Sequence, residues 1–373
     1  LGTAVQLGLH FWPASSLIYG IRVDYLSPTL YALDIGIIIS LFLAYLQNHN
    51  IIRSNYPLSL FYLIAASNLI FSQTPLQSLL WWLHLGLYLC WASTISLKWL
   101  QDHVKWLLIP LASLSCLGLA QIIHGGSFQG IFYWLGERRI NISQPGIALQ
   151  ELFGVRYLRA YSLFSHPNIF AGWAVFSVLI ISFFDKSKII KVFSCLLGVV
   201  IIFLTASRSG ALGLLAILFM MTFRKPTQKI SQNLIYFILG VASISYLVLV
   251  RSESVIIPRL NLISISFGIV QKYPVFGVGA LGSLSVYQFI SPAIRYLQPD
   301  HFSPTLLLSW LGFVGIIQLI IVSRYFNKAH ILLKTLFPLL PIFLLDHYLL
   351  TSFSGMLIVV LAFRSSYLLT QLD

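Results

Sequence analysis

The chain has 373 residues, of which 58% are hydrophobic and 9% charged, and a formal net charge of +13. Soluble domains carry roughly 25% charged residues, so a water-soluble globule is excluded: the polar groups are too few to cover its surface. Long continuous apolar runs also exclude an outer-membrane barrel, whose strands alternate in and out.

The runs are long enough to cross a hydrocarbon layer, which takes about 20 helical residues. In chain order they predict spans at 29–47, 57–72, 75–97, 106–124, 167–184, 189–205, 209–223, 232–250, 305–322, 335–349 and 351–368. The stretch from Leu1 to Trp12 is too short to span and reads as part of a first helix, not as a signal peptide. The expectation is an all-α polytopic membrane protein of about twelve transmembrane helices, a single integral membrane domain over 1–373. Cys90, Cys116 and Cys195 all lie in apolar runs, which argues against a disulfide framework and against zinc.

Alternating the loops between two sides separates the charges by type. One side holds Arg53, Lys98, Lys105, the lysines of 186–191, Arg224 to Lys229, Arg324 to Lys334 and Arg364: 13 basic residues, nine of them lysine. These loops are short, and the positive-inside rule makes their side cytoplasmic. The other side holds Lys272 and nine arginines: Arg22, Arg138, Arg139, Arg156, Arg159, Arg208, Arg251, Arg259 and Arg295. Topology needs only charge, whereas arginine adds a planar fork that grips phosphate or carboxylate. Salt bridges to Glu137, Glu151, Glu253 and Asp300 are the plainer use of these arginines. Most of them fall in two long extracytoplasmic loops, 125–166 and 251–304, and loops of that length are usually functional.

Five constellations could carry chemistry. Arg156 and Arg159 precede Ser165-His166-Pro167-Asn168, with Pro167 suited to a first helical turn. That is either an anion site at a helix N-terminus or an ordinary loop entering a helix. Thr205-Ala206-Ser207-Arg208-Ser209-Gly210 crowds polar groups into a tight turn at membrane level, where Arg208 either anchors to headgroups or points into a cavity. Pro274-Val275-Phe276-Gly277-Val278-Gly279 is a permissive turn. Asp300-His301 opens a span, and imidazole is the usual base near neutral pH. Asp346-His347 sits at the outer end of span 335–349, as a polar helix end or as support for the same cavity. His84, among tryptophans, reads as packing.

No Gly-x-x-x-x-Gly-Lys-Ser/Thr loop is present, which argues against an ATP-driven pump. Closely spaced pairs of external acids are missing too, which makes a metal-bound nucleotide-sugar site an unfavoured reading. Apart from Asp34 and Asp346, the spans lack carboxylates of the kind that coupled carriers use.

In this order and spacing, the pieces resemble the O-antigen ligase and O-antigen polymerase superfamily of bacterial membrane proteins. The family's Arg-x-x-Gly-x-Phe-x-His-Pro-Asn is matched by Arg159, Phe164, His166, Pro167 and Asn168, with Ala171 beyond and Ser162 in place of glycine. Its Ser-Arg-Gly/Ser turn is matched by Ser207-Arg208-Ser209, and its Pro-x-x-Gly-x-Gly by Pro274, Gly277 and Gly279. Its loop-ending histidine is matched by His301, with Phe302 where asparagine is usual, and its Glu-x-Gly is replaced by Trp310-Leu311-Gly312.

The resemblance implies a glycosyltransferase of the C type in the bacterial plasma membrane. Such enzymes move a glycan from a polyprenyl pyrophosphate carrier to an acceptor hydroxyl on the extracytoplasmic face, with inversion and without a metal or other cofactor. On that reading His301 is the general base, and Arg159 and Arg208 hold the pyrophosphate. Arg156, His166, Asn168, Ser207, Gly277, Gly279 and Asp300 complete the substrate site. The partners are the lipid-linked glycan donor, a glycan, lipid or protein acceptor, and membrane lipids, with no nucleic acid. Polymerase and protein oligosaccharyltransferase activities are the alternatives within the class. An anion transporter, with the external arginines as an entry funnel, and a catalytically degenerate scaffold are the alternatives outside it.

Overall fold

The computed structural model describes residues 4–47, 58–152, 154–223, 256–290, 297–324 and 336–371. Short antiparallel strands come first: β1 (Gly8–His10), β2 (Leu17–Ile18), β3 (Ile21–Arg22) and β4 (Thr29–Tyr31), with β1 paired to β4 and β2 to β3. Helices follow as α1 (Ala32–Gln47), α2 (Leu58–Ile70), α3 (Pro75–Ser93), α4 (Leu97–His103) and α5 (Leu108–His124). A hairpin of β5 (Leu149–Leu152) and β6 (Val155–Leu158) precedes α6 (Pro167–Phe184), α7 (Lys188–Thr205) and α8 (Arg208–Phe223). The rest is α9 (Ile256–Lys272), α10 (Ser283–Ile290), α11 (Ser303–Arg324), α12 (Leu340–Leu345), α13 (Tyr348–Thr351) and α14 (Phe353–Leu369).

The chain is mostly helical. Among the described residues, four helical stretches are long and apolar enough to cross a membrane: Leu97–His124, Pro167–Phe184, Lys188–Thr205 and Ser303–Ile321. Shorter apolar helices run over Ala32–Gln47, Arg208–Thr222 and Phe353–Leu369. The expectation of about twelve spans is therefore met only in part. The expected span 232–250, with Arg251 and Arg295, lies outside the described residues.

Two expectations, on the N-terminal stretch and on span 335–349, need correction. Within the stretch read as part of a first helix, residues 8–10 form a strand, whose backbone pairs with 29–31. The two long loops carry structure of their own, the β5–β6 hairpin in one and α9 and α10 in the other. The expected span 335–349 is broken: Pro338 and Pro341 punctuate its first half, and Asp346 is extended at φ −146° and ψ 140° before α13 begins. Proline lacks the amide that a continuous helix needs.

Helix α6 is the centre of the packing. Among its residues only Phe183 escapes full burial, so it is apolar all round, as a helix enclosed by others should be. It packs against α7, α8 and α14. Its first turn therefore delivers His166, Pro167 and Asn168 into the middle of one end of the bundle.

A second structural device is the break in α11 at Gly312, where φ is 61° and ψ −174°. A broken helix in an apolar setting strands backbone groups, each of which costs several kcal/mol unless paired. The Pro274–Gly279 segment pairs them. Val278 N donates to Ser309 O at 2.9 Å and Gly279 N to Trp310 O at 3.0 Å. Phe313 N and Val314 N donate to Pro274 O and Val275 O at 2.9 and 3.0 Å. Gly277, at φ 67°, lies so close to Trp310 that a Cβ would overlap its backbone. Asn68 completes the junction: its Nδ2 donates to Trp310 O at 2.8 Å, and its Oδ1 accepts from Ala280 N and Trp82 Nε1, each at 2.9 Å.

Asn68→Ala removes three buried hydrogen bonds, to Trp310 O, Ala280 N and Trp82 Nε1, and takes from the Ala280 amide its acceptor. Each such loss costs roughly 1–3 kcal/mol, so thermal unfolding of the detergent-purified variant should begin several degrees below the parent. An unchanged melting curve would contradict the role given to this junction.

Candidate active site

A cavity of about 940 Å³ opens at the end of the bundle where α6 and α11 begin. The N-terminal strands, the loop before α6, and the segments around His301 and Asp346 line it. Five of the chain's nine histidines reach it: His10, His84, His166, His301 and His347.

Asp346 organises the deep side. Its carboxylate is 5% exposed and takes groups from three separate parts of the chain. Oδ1 accepts from Asn168 Nδ2 at 2.9 Å, and Oδ2 from Ser209 Oγ at 2.5 Å. His301 Nδ1 lies 3.6 Å from Oδ1, an ion-pair approach too long for a hydrogen bond. The peptide carbonyl of Asp346, freed by the helix break, accepts from Ser303 Oγ at 2.9 Å. His347 stands beside His301 with ring centroids 4.8 Å apart, and its Nδ1 pairs with Thr351 Oγ1 at 2.7 Å.

Asn168 passes the chain of contacts outward. Its Oδ1 accepts from Arg159 at 2.5 Å, while Arg159 Nε donates to Thr205 O at 2.6 Å. His166 caps α6 by accepting from Asn168 N at 3.2 Å. Burial, with the positive charge of Arg159, pushes the His166 pKa down to about 3, so its ring stays neutral. Ser207 Oγ accepts from Gly210 N at 3.2 Å at the start of α8.

The sequence-derived residues thus divide. His301, His166, Asn168, Arg159 and Ser207 gather around Asp346 directly or through one neighbour. Arg208 is exposed in the first turn of α8, next to Ser209. Arg156 is exposed in the β5–β6 hairpin, 3.9 Å from Glu151. Gly277 and Gly279 serve the α11 break and do not line the cavity. Asp300 turns away from its neighbour: its buried carboxylate accepts from Phe302 N at 2.9 Å and from Thr305 Oγ1, capping α11. Burial pushes its pKa up.

Ser209 and the cavity arginines Arg22 and Arg138 escaped the sequence reading as site residues. Arg138 Nη2 donates to Asp24 at 3.1 Å, and the Arg22 guanidinium sits 5.3 Å from the Trp12 ring centroid. His84 is not simple packing, since its Nε2 meets Asp34 Oδ2 at 3.0 Å. Arg259 on α9 acts electrostatically on Asp346 and His347, and its buried Nε has no hydrogen-bond partner among the described residues. No group of three or more His, Cys, Asp or Glu placed to hold a metal ion occurs among the described residues.

No family model, no curated protein and no solved structure matches this chain.

With a pKa of about 3, His166 should not titrate in the physiological range. In selectively labelled protein its Cε1 signal should keep the neutral-imidazole shift from about pH 8 down to about pH 5, where an unperturbed histidine changes charge. Movement across that range would contradict the burial described.

Proposed function

We propose that the protein is an integral membrane enzyme that transfers a glycan from a polyprenyl pyrophosphate carrier to an acceptor hydroxyl. The observation that carries this reading is the convergence on Asp346. Segments around Arg159–Asn168, Ser207–Ser209 and His301, far apart in sequence, meet through one carboxylate beside one cavity.

In this proposal His301 takes the proton of the acceptor hydroxyl as its oxygen bonds to the anomeric carbon. The bond from that carbon to the pyrophosphate oxygen breaks on the opposite face, and the configuration inverts. Asp346 lies 3.6 Å from Nδ1 of His301, so it favours the proton on Nδ1 and stabilises the imidazolium that forms, while Nε2, 3.4 Å from Gln298 Oε1, is the nitrogen that exchanges this partner for the acceptor hydroxyl. The leaving pyrophosphate gathers negative charge. Guanidinium groups can stabilise it, each preorganised contact contributing roughly 3–4 kcal/mol.

The arginine roles shift from the sequence expectation. Arg159 is engaged in holding Asn168 and Thr205, so it acts as a positioning residue. Arg208, beside Ser209, and Arg259, whose buried Nε has no hydrogen-bond partner among the described residues, are the arginines we assign to the phosphates. A lipid-borne donor suits a chain with several membrane-length apolar helices, and the active face is taken as extracytoplasmic from the lysine–arginine split.

The reading is tested with purified protein, a polyprenyl-pyrophosphate-linked oligosaccharide and a lipid or glycan acceptor. His301→Ala should lower kcat by about 10²–10⁴-fold, the usual contribution of a general base. Asp346→Asn should lower kcat with little change in the donor KM. Transfer at the parent rate by His301→Ala would sink the assignment.

A further inference from the structure

His84, which lines the cavity, belongs to a second buried carboxylate–imidazole pair that shares no hydrogen-bond partner with Asp346 among the described residues. Asp34, in the first turn of α1, is 2% exposed. Its Oδ2 accepts from Tyr31 N at 2.9 Å and from His84 Nε2 at 3.0 Å, and its Oδ1 from Tyr88 Oη at 2.8 Å. A carboxylate in an apolar helix is costly and persists where it is compensated and used.

In the neutral ring, the proton that Nε2 donates to Asp34 leaves a lone pair on His84 Nδ1. That nitrogen makes no hydrogen bond among the described residues, and it is absent from the buried unpaired atoms. His84 lines the cavity with its side chain 17% exposed. An open acceptor therefore faces the cavity, locked in tautomer by Asp34.

Aromatic rings surround it. Tyr31 lies edge-on to His84 at 6.0 Å and stacks on Phe353 at 3.9 Å, and Trp81 and Phe353 line the same cavity. Aromatic edges beside one hydrogen-bond acceptor match a pyranose ring, which has C–H groups and a hydroxyl edge.

We propose that the His84 corner is a sugar subsite for the acceptor, in which His84 Nδ1 accepts a hydrogen bond from a pyranose hydroxyl and the Trp81, Tyr31 and Phe353 rings carry its C–H face. Asp34 is a positioning residue for His84. The subsite rests on the glycan-transfer reading for the identity of its ligand, but sugar binding can be measured without transfer.

The test is saturation-transfer NMR on the full chain in nanodiscs, with methyl glucoside, methyl galactoside and methyl mannoside as separate probes. Parent protein and His301→Ala should both saturate the ring protons of at least one probe. His84→Phe, which keeps the bulk and removes the acceptor, should weaken that binding about tenfold, the equivalent of one hydrogen bond. Asp34→Asn should weaken it as well and, where transfer is measured, raise the acceptor KM with kcat within about twofold; it decides the matter if His84→Phe fails to fold. Binding unchanged in the folded variants would reduce His84 to a tie between α1 and α3 and overturn the proposal, as would no saturation of any probe by the parent. Saturation that depends on His84 in a protein that transfers no glycan would remove the transfer reading and leave the subsite standing.

Discussion

A buried carboxylate needs partners, and the site depends on how Asp346 finds them. Its two oxygens accept from Asn168 and Ser209 and face His301, so α6, α8 and the start of α11 are registered against one point. Removing one partner from a buried charged pair costs about 3–5 kcal/mol, because the charge left behind is uncompensated. Precise placement of His301 is thus coupled to the packing of three helices. The extended backbone at Asp346 belongs to the same design, because leaving the helix frees its carbonyl for Ser303.

The two interrupted regions share a rule. Chain that leaves helical geometry between apolar helices must pair its peptide groups with protein. At Gly312 the pairing comes from Pro274–Gly279 and Asn68; at Asp346 it comes from the α11 cap. The first break holds α9, α11 and α2 together behind the site, and the second shapes the cavity wall. The motif glycines therefore contribute to the site at a distance, through the helix that follows His301.

Much of this was legible in the residues. Uniformly apolar runs marked α5, α6, α7 and α11 because burial or lipid on all sides leaves no polar face to break the pattern. Pro167 after His166 marked the start of α6, since proline's fixed φ suits that position. Other features depend on tertiary pairing that no local pattern carries. Asp300 adjoins His301 in sequence, yet its side chain turns inward to cap α11, and the carboxylate that faces His301 comes from Asp346. Gly277 reads as a ligand turn until Gly312 is seen against it. Strands of two or three residues, such as β2 and β3, are too short to leave a periodic signal, so the N-terminal wall with Arg22 and Trp12 stayed hidden. Asp34 and His84 lie on different helices, and only packing of α1 against α3 reveals them as a pair.

The most direct measurement is an electron cryo-microscopy map of the protein with a polyprenyl pyrophosphate bound in nanodiscs. Density for the two phosphates should stand beside His301 and within reach of Arg208 and Arg259, with the isoprenoid leaving between helices toward lipid. Phosphate density on the outer surface of the bundle, with the cavity around His301 holding none, would contradict the placement of the reacting centre.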